Sequence, residues 1–426
     1  MRERDDPLRI EYAGAVGGLA VVRHPPPPGA ASCSATYVGP AGWGFDPRGR
    51  TGVARLTNQL LTSGAGAWDR RSLARRLDRA GATLAANADP ESGEVTIWGP
   101  TDLWRPLLGI LAEVVRRPRF DPADVARVRR QALERALRER TQPANRAEFE
   151  FLRAVFPTGH PYASTGRGTR STLARIGRGD LVRFHERQYT GGDSTLVVTA
   201  PASARDVVAA ARARFSGLAE SPIPSLRTPG APPRRPQERR IDLPGRSQVE
   251  IRWGGPSIAR RDEGYPAAFL ANEILGGRPL LSRLFQRVRE RGGLAYHASS
   301  ALEAMRLGGY WVAQVGSGAD RWSRVLPIVR ATVDELADRP IRAAELDRIR
   351  ESAIGQIPLA LETTREAHEL AVDLAYHRLP PTYWSDWPAT LRAVRAREVR
   401  DAAREHLSLA EATQVVAGPL TPPAKR

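Results

Sequence analysis

Lysine is almost missing from this chain: of its 64 basic residues only Lys425 is a lysine, and the other 63 are arginine. Cysteine is reduced to Cys33, which excludes an internal disulfide and is compatible with a reducing compartment. Flanked by Ser32 and Ser34 in a β-prone run, it reads as a small buried hydrophobe and not as a reactive thiol. No apolar run approaches the ~20 residues needed to span a bilayer. The N-terminal residues Met1–Asp6 mix both charge signs with no apolar core behind them, unlike a secretory signal. These absences predict a cytoplasmic protein. A histidine-based metal site is missing as well. The seven histidines are His24, His160, His185, His297, His368, His377 and His406, and no two have helical ligand spacing with an intervening glutamate.

What is present is length and positive charge. At 426 residues the chain suits two domains of about 200 residues each. The formal net charge is +17. Arginines cluster at Arg70-Arg71 and Arg75-Arg76, at Arg127-Arg129-Arg130, and at Arg234-Arg235 with Arg239-Arg240. Abundant Ala, Gly and Pro accompany them, the usage of a GC-rich genome. Acidic residues intersperse much of the chain, and neither a nucleic-acid motif nor interleaved aromatics support base stacking. Nucleic acid is therefore not the expected partner. An acidic protein or peptide makes better use of the charge.

Residues 217–240 read GLAESPIPSLRTPGAPPRRPQERR, where Pro222, Pro224, Pro229, Pro232, Pro233 and Pro236 oppose a regular helix or central strand. This predicts a stiff linker between domains at 1–216 and 241–426. The flanking halves repeat a pattern. Gly93–Trp98 leads to Trp104, Leu107, Leu108 and Leu111, then to Asp124-Val125 and Val128; Gly309–Val312 leads to Trp322, Val325, Leu326 and Val329, then to Glu345-Leu346 and Ile349. A β-rich run, an amphipathic helix, a loop with proline and a second amphipathic helix recur in both. The fold class is α+β, duplicated, each half a sheet covered by helices on one side.

The richest stretch is Leu275–Ser300, LGGRPLLSRLFQRVRERGGLAYHASS. It predicts a turn at Gly276-Gly277, an amphipathic helix around Leu280–Arg289, a second turn at Gly292-Gly293, and a strand opening at Leu294-Ala295-Tyr296. Arg289 and Tyr296 together can donate to a peptide carbonyl and to the oxyanion it becomes. The alternative is that Arg289 complements a helix C-terminus and Tyr296 is a half-buried strand residue. Strand alternation points His297 away from the face of Tyr296.

Asn272–Gly277, Ser282–Phe285, Arg289 and Gly293–Tyr296 resemble the C-terminal half of the insulinase and mitochondrial-processing-peptidase family, peptidase family M16. Gly159–Tyr162, Asp180-Leu181, Phe184, Tyr189 and Leu196–Val198 resemble the end of its N-terminal half, so the likeness runs from about Gly18 to Gly418. It implies two similar domains of the LuxS and M16-peptidase-like kind, a short M16B-type subunit, and two subunits closing around a peptide chamber. It also implies that Arg289 and Tyr296 (within the motif at 272–296) contact substrate.

The resemblance places the segment 52–64 where the family carries its zinc helix. There the two histidine ligands become Arg55 and Gln59, the general-base glutamate becomes Asn58, and the third ligand falls near Glu134-Arg135, at Arg135. Arginine has no lone pair to offer and an amide oxygen is a poor ligand, so no metal is expected in this chain. Without a carboxylate at Asn58 nothing there activates water. Three functions follow: a substrate-binding subunit completing a zinc-bearing M16B partner, a structural scaffold, or a stand-alone binder of peptide or nucleic acid. A homodimer is an option where that partner is absent.

Overall fold

The computed structural model describes residues 6–221, 225–226, 228–229 and 236–420. Pro222, Pro224, Pro232, Pro233, the Arg234-Arg235 pair, Lys425 and the first five residues, all used above, lie outside the described residues. The strands are β1 (Glu11–Val16), β2 (Leu19–His24), β3 (Ser32–Gly39), β4 (Gly64–Ala65), β5 (Trp68–Asp69), β6 (Thr83–Ala88), β7 (Gly93–Pro100) and β8 (Thr195–Thr199), followed by β9 (Gln237–Asp242), β10 (Gln248–Ser257), β11 (Ala295–Met305), β12 (Gly308–Gly318) and β13 (Thr413–Gly418). The helices of the first half are α1 (Val53–Leu61), α2 (Arg70–Arg79), α3 (Trp104–Arg116), α4 (Pro122–Glu139), α5 (Pro143–Val155), α6 (Arg170–Ala174), α7 (Arg178–Gln188) and α8 (Ala204–Phe215). Those of the second are α9 (Tyr265–Asn272), α10 (Trp322–Asp338), α11 (Ala343–Ile354), α12 (Gln356–Ala360), α13 (Thr364–His377), α14 (Tyr383–Ala393) and α15 (Ala396–His406).

The duplication predicted from the repeated pattern is visible in strand order. The first sheet runs β6-β7-β3-β8-β2-β1 and the second β11-β12-β10-β13-β9. The two orders match position for position, with β1 as an addition. Even strand direction repeats, because β2–β8 and β13–β9 are the parallel pairs among otherwise antiparallel neighbours. The fold is α+β, with two sheets flanked by helices.

Contiguous halves are not the compact units. One unit comprises Met1–Ala136, Gly166–Arg227 and Ile357–Asp386; the other comprises Leu137–Thr165, Thr228–Gln356 and Trp387–Arg426. Each half lends a helix to the other unit: α5 belongs with the second sheet and α13 with the first. Residues 237–240, read above as the end of the linker, open β9 at the edge of the second sheet, directly after Pro236. A proline just before an edge strand costs no ladder hydrogen bond.

In the first unit, one face of the sheet is covered by α1 and α3, whose Val53, Leu56, Leu60, Leu107, Leu108 and Leu111 recur at helical spacing and are buried. The other face takes α13, whose Ala371, Val372, Leu374 and Ala375 pack on Ile10, Val22 and Val197. In the second unit, α5 sets Phe151 and Leu152 against Val312, Val415 and Ala417. The one-sided cover expected from the pattern thus has an added helix on the second face of each sheet. No described helix is long and apolar enough to cross a membrane.

Candidate functional site

The Arg–Tyr motif begins where α9 widens. Arg278 N–H donates to Glu273 C=O at 3.3 Å, an i→i+5 bond closing a π-type turn over Glu273–Gly277. Gly276 is required there for space, because a Cβ would collide with the backbone of Ser299 and Ser300 on β11. The predicted helix around Leu280–Arg289 starts later than its apolar pattern suggested. Pro279 cannot continue a helix and exposed Leu280 holds φ at +65°, so helical backbone resumes only at Arg283. A second π-type turn, Phe285–Glu290, then carries Arg289.

Three buried or half-buried ion pairs hold this segment. Arg283 meets Glu345 of α11 through two bonds of 2.8 Å, Arg287 meets Glu335 of α10 at 2.7 Å, and Arg278 pairs with Glu273. Burial pushes the Glu345 carboxyl up, but the Arg283 bond and charge outweigh it and hold the group below its ordinary value. Sequence reasoning missed Glu335 and Glu345 as partners; nothing local marks them.

Tyr296 lies in a bulge at the start of β11. Ala295 pairs with Ser317 and His297 with Gly316, which leaves Tyr296 without an opposite residue. A bulge re-aims a side chain, and Tyr296 is 55% exposed. It borders a cleft of about 490 Å³ shared with Asp242, Arg246, Ser247, Asp320 and Arg321. Arg289 is exposed, stacks 5.1 Å over Phe285, and is not among the residues of that cleft. The two motif side chains are thus both exposed, and of the two only Tyr296 borders that cleft. His297 is within 3.5 Å of Glu250, whose other neighbour is Arg252 at 2.9 Å.

The segment 52–64, which the resemblance aligns with the family's zinc helix, contains α1. Arg55 lies 4.3 Å over the indole of Trp43, and Gln59 is half-buried one turn on. Asn58 is 1% exposed; its amide donates to Ala54 C=O at 3.1 Å and lies beside the Tyr189 ring without a hydrogen bond to its phenol. Tyr189 stacks between Tyr37 and His185 in the core. Asp46 terminates the helix by accepting from Gly52 N–H and Ala54 N–H, each at 2.7 Å. Arg135 and Glu134 are both exposed on α4. A stacked guanidinium, an amide and a core asparagine do not fit a zinc ion. Among the described residues, no three His, Cys, Asp or Glu side chains form a group that could hold a metal. Cys33 is buried, its thiol 3.3 Å from Pro100 C=O and pushed up to about 11 by burial.

Comparison with known proteins agrees with these motifs. Residues 21–168 match the family described as insulinase (peptidase family M16), and residues 175–353 match the peptidase M16 inactive domain. This chain belongs to peptidase family M16. An uncharacterised zinc protease of Streptomyces coelicolor is 33% identical over 205 residues, 46% of this chain and 44% of that protein. One from Mycobacterium leprae is 28% identical over 260 residues, covering 59% and 57%. The M16 chain therefore spans about half the length of these curated relatives. A Helicobacter pylori protein called a non-peptidase homolog is 17% identical over 373 residues, 87% of this chain and 85% of that one. The M16 fold is shown by a crystal structure described as a peptidase M16 inactive domain from Pseudomonas fluorescens: TM-score 0.90, 24% identity, 98% of this chain and 100% of that one.

Proposed function

We propose that this M16 chain is a non-catalytic, substrate-binding subunit that completes the site of a zinc-bearing M16B partner. The observation carrying this reading is the contrast between its two motifs. The zinc positions hold Arg55, Asn58 and Gln59, none of which suits the metal, while Arg289 and Tyr296 remain exposed on a segment braced by three ion pairs. A scaffold has no need to present a phenol in a strand bulge. In the complex, Tyr296 and Arg289 donate to the scissile carbonyl held at the partner's metal, where oxyanion charge grows in the transition state. The likeness to a homologue named as a non-peptidase supports loss of activity in the lone chain.

The test is reconstitution. Elemental analysis of the purified chain is expected to find no stoichiometric zinc, and a quenched-peptide assay no turnover. Mixing it with a zinc-bearing M16 chain of the same genome gives a 1:1 complex and activity that neither part has. Near-equimolar zinc on the lone chain, or a partner fully active alone and unaffected by this one, defeats the reading.

A further inference from the structure

A chain of polar side chains, buried at His24, Thr199, His368 and Thr36 and half-buried at Thr96 and Glu94, crosses the first unit between β2, β8, α13, β3 and β7. His24 Nε2 is 2.8 Å from Pro7 C=O, and His24 Nδ1 is 2.8 Å from Thr199 Oγ1. Thr199 Oγ1 is 2.6 Å from His368 Nδ1, and His368 Nε2 is 2.7 Å from Thr36 Oγ1. Thr36 Oγ1 is 2.8 Å from Thr96 Oγ1, which is 2.8 Å from Glu94 Oε1. Glu94, Thr96 and His368 border a cavity of about 270 Å³ between the sheet and α13.

Counting hydrogens gives this chain a direction. A carbonyl only accepts, so His24 donates from Nε2 and, being neutral, accepts at Nδ1 from the Thr199 hydroxyl. The single Thr199 proton is then used, so His368 donates from Nδ1 and accepts at Nε2 from Thr36. Thr36 in turn accepts from Thr96. Six contacts need six protons, and His24, Thr199, His368, Thr36 and Thr96 supply five. With Glu94 ionised, one of the half-buried contacts at Thr96 has no hydrogen in it.

We propose that the chain binds a sixth proton, that this proton resides on Glu94, and that its loss is a pH-sensitive switch loosening α13 from the sheet. The other place for the proton is an imidazole. Burial disfavours that strongly, lowering His24 to about 4 and, with His24 beside it, His368 to about 3. The surroundings of Glu94 favour its neutral form: burial raises the carboxyl, the Thr96 bond opposes, and Glu369 raises it further. From α13, Arg365, His368, Glu369, Asp373 and Tyr376 border the same cavity, and Asp89 does so from the turn before β7. Arg365 is paired with Glu369 at 3.2 Å and stacked on Trp98. Tyr376 donates to Glu91 at 2.6 Å, and Asp89 is held by Ser92. Beside His24 stand Arg23 and Asp6, of opposite sign. When Glu94 ionises, the Thr36–Thr96 contact loses its proton and two carboxylates, Glu94 and Glu369, face each other across the cavity.

The test is a carboxyl titration of the full chain carrying 13C-labelled glutamate, with Glu94 assigned by its loss in Glu94→Gln. Thr36→Val separates this mechanism from simple burial. It removes the middle of the chain, lets Thr96 donate to an ionised Glu94, and weakens proton binding by about tenfold or more, one pH unit. Thr36→Ser restores the wild-type midpoint. A wild-type Glu94 that titrates with exposed glutamates, or a midpoint unmoved by Thr36→Val, overturns the proposal. A second measurement needs no variant: 15N spectra at neutral pH should show His24 protonated at Nε2 and His368 at Nδ1, and any other pair of tautomers overturns the assignment. Hydrogen exchange reads the switch. Protection of the α13 amides, corrected for intrinsic rates, falls as pH rises through the Glu94 midpoint and stays flat in Glu94→Gln; equal pH dependence in both chains rejects the link to α13.

Discussion

Arg283 and Glu345 face each other in a bidentate pair, with Nε and Nη2 each 2.8 Å from a carboxylate oxygen and both side chains largely buried. The pair ties the turn that carries Arg289 to α11. Truncating one partner leaves a buried charge uncompensated, so Arg283→Ala is expected to cost about 3 kcal/mol in chemical denaturation. Arg283→Lys recovers only part of this, because an ammonium cannot make the planar double contact. Glu345 is held below its ordinary value, so the pair's contribution is present at neutral pH and lost as pH falls through the folded-state titration.

Gly276→Ala tests the close approach of α9 to β11. The added methyl has no room against the backbone of Ser299 and Ser300, and backbone does not move aside cheaply. Overpacking of this kind costs about 1–3 kcal/mol. A thermal midpoint equal to wild type would mean that the helix end shifts freely.

Asn58→Glu puts a carboxylate where this chain has an aromatic core, at the position the resemblance aligns with a general base. Asn58 is almost fully buried beside Tyr189, which is itself buried between Tyr37 and His185. An isolated buried carboxylate is penalised, so the variant should lose about 2–4 kcal/mol at neutral pH. Its carboxyl would be raised, so the loss should shrink as pH falls. Denaturant midpoints at two pH values measure both effects.

His24 and His368 make stability depend on acid. Their folded-state values, about 4 and about 3, lie below the ordinary 6.5, so the unfolded chain binds more protons in between. The stabilisation they give is present above about 6.5 and lost as pH falls towards 3–4. Buried Asp46 and Asp89, raised to about 7 and about 6, act in the opposite sense and blur the raw curve. The difference between wild type and His368→Gln isolates one imidazole: it should shrink by up to about 3 kcal/mol from pH 7 to pH 3.5.

Tyr296→Phe bears on the proposed function. The side chain is mostly exposed, and the ring is kept, so melting should stay within a few degrees of wild type. In the reconstituted complex, turnover should fall about a hundredfold to a thousandfold, the usual effect of removing one oxyanion donor. Arg289→Ala should also weaken substrate binding. Unchanged turnover in both variants would return the pair to a structural role.

Local chemistry in the chain determined the class of fold. Apolar residues at helical spacing in Trp104–Arg116 and Trp322–Asp338, each after a β-rich run, marked the duplication, and the strand orders repeat it. The same holds for the unsuitability of α1 for zinc, which residue type alone decides: no packing gives Arg55 a lone pair. The buried thiol at Cys33 was legible too, from its β-prone surroundings.

Tertiary structure alone decided the rest, because those features join residues remote in sequence. The exchange of α5 and α13 between units has no local signal, since an amphipathic helix does not specify which sheet its apolar stripe covers. The delayed start of the Arg283 helix depended on backbone strain at Leu280, and the freeing of Tyr296 depended on a bulge set by its pairing with β12. His368 meets Thr36 across 332 residues and Thr199 across 169, so two histidines with no motif between them become one proton chain only when α13 lies on the first sheet. Sequence periodicity reports what each segment buries; which segment it buries against is set by the closing of the chain on itself.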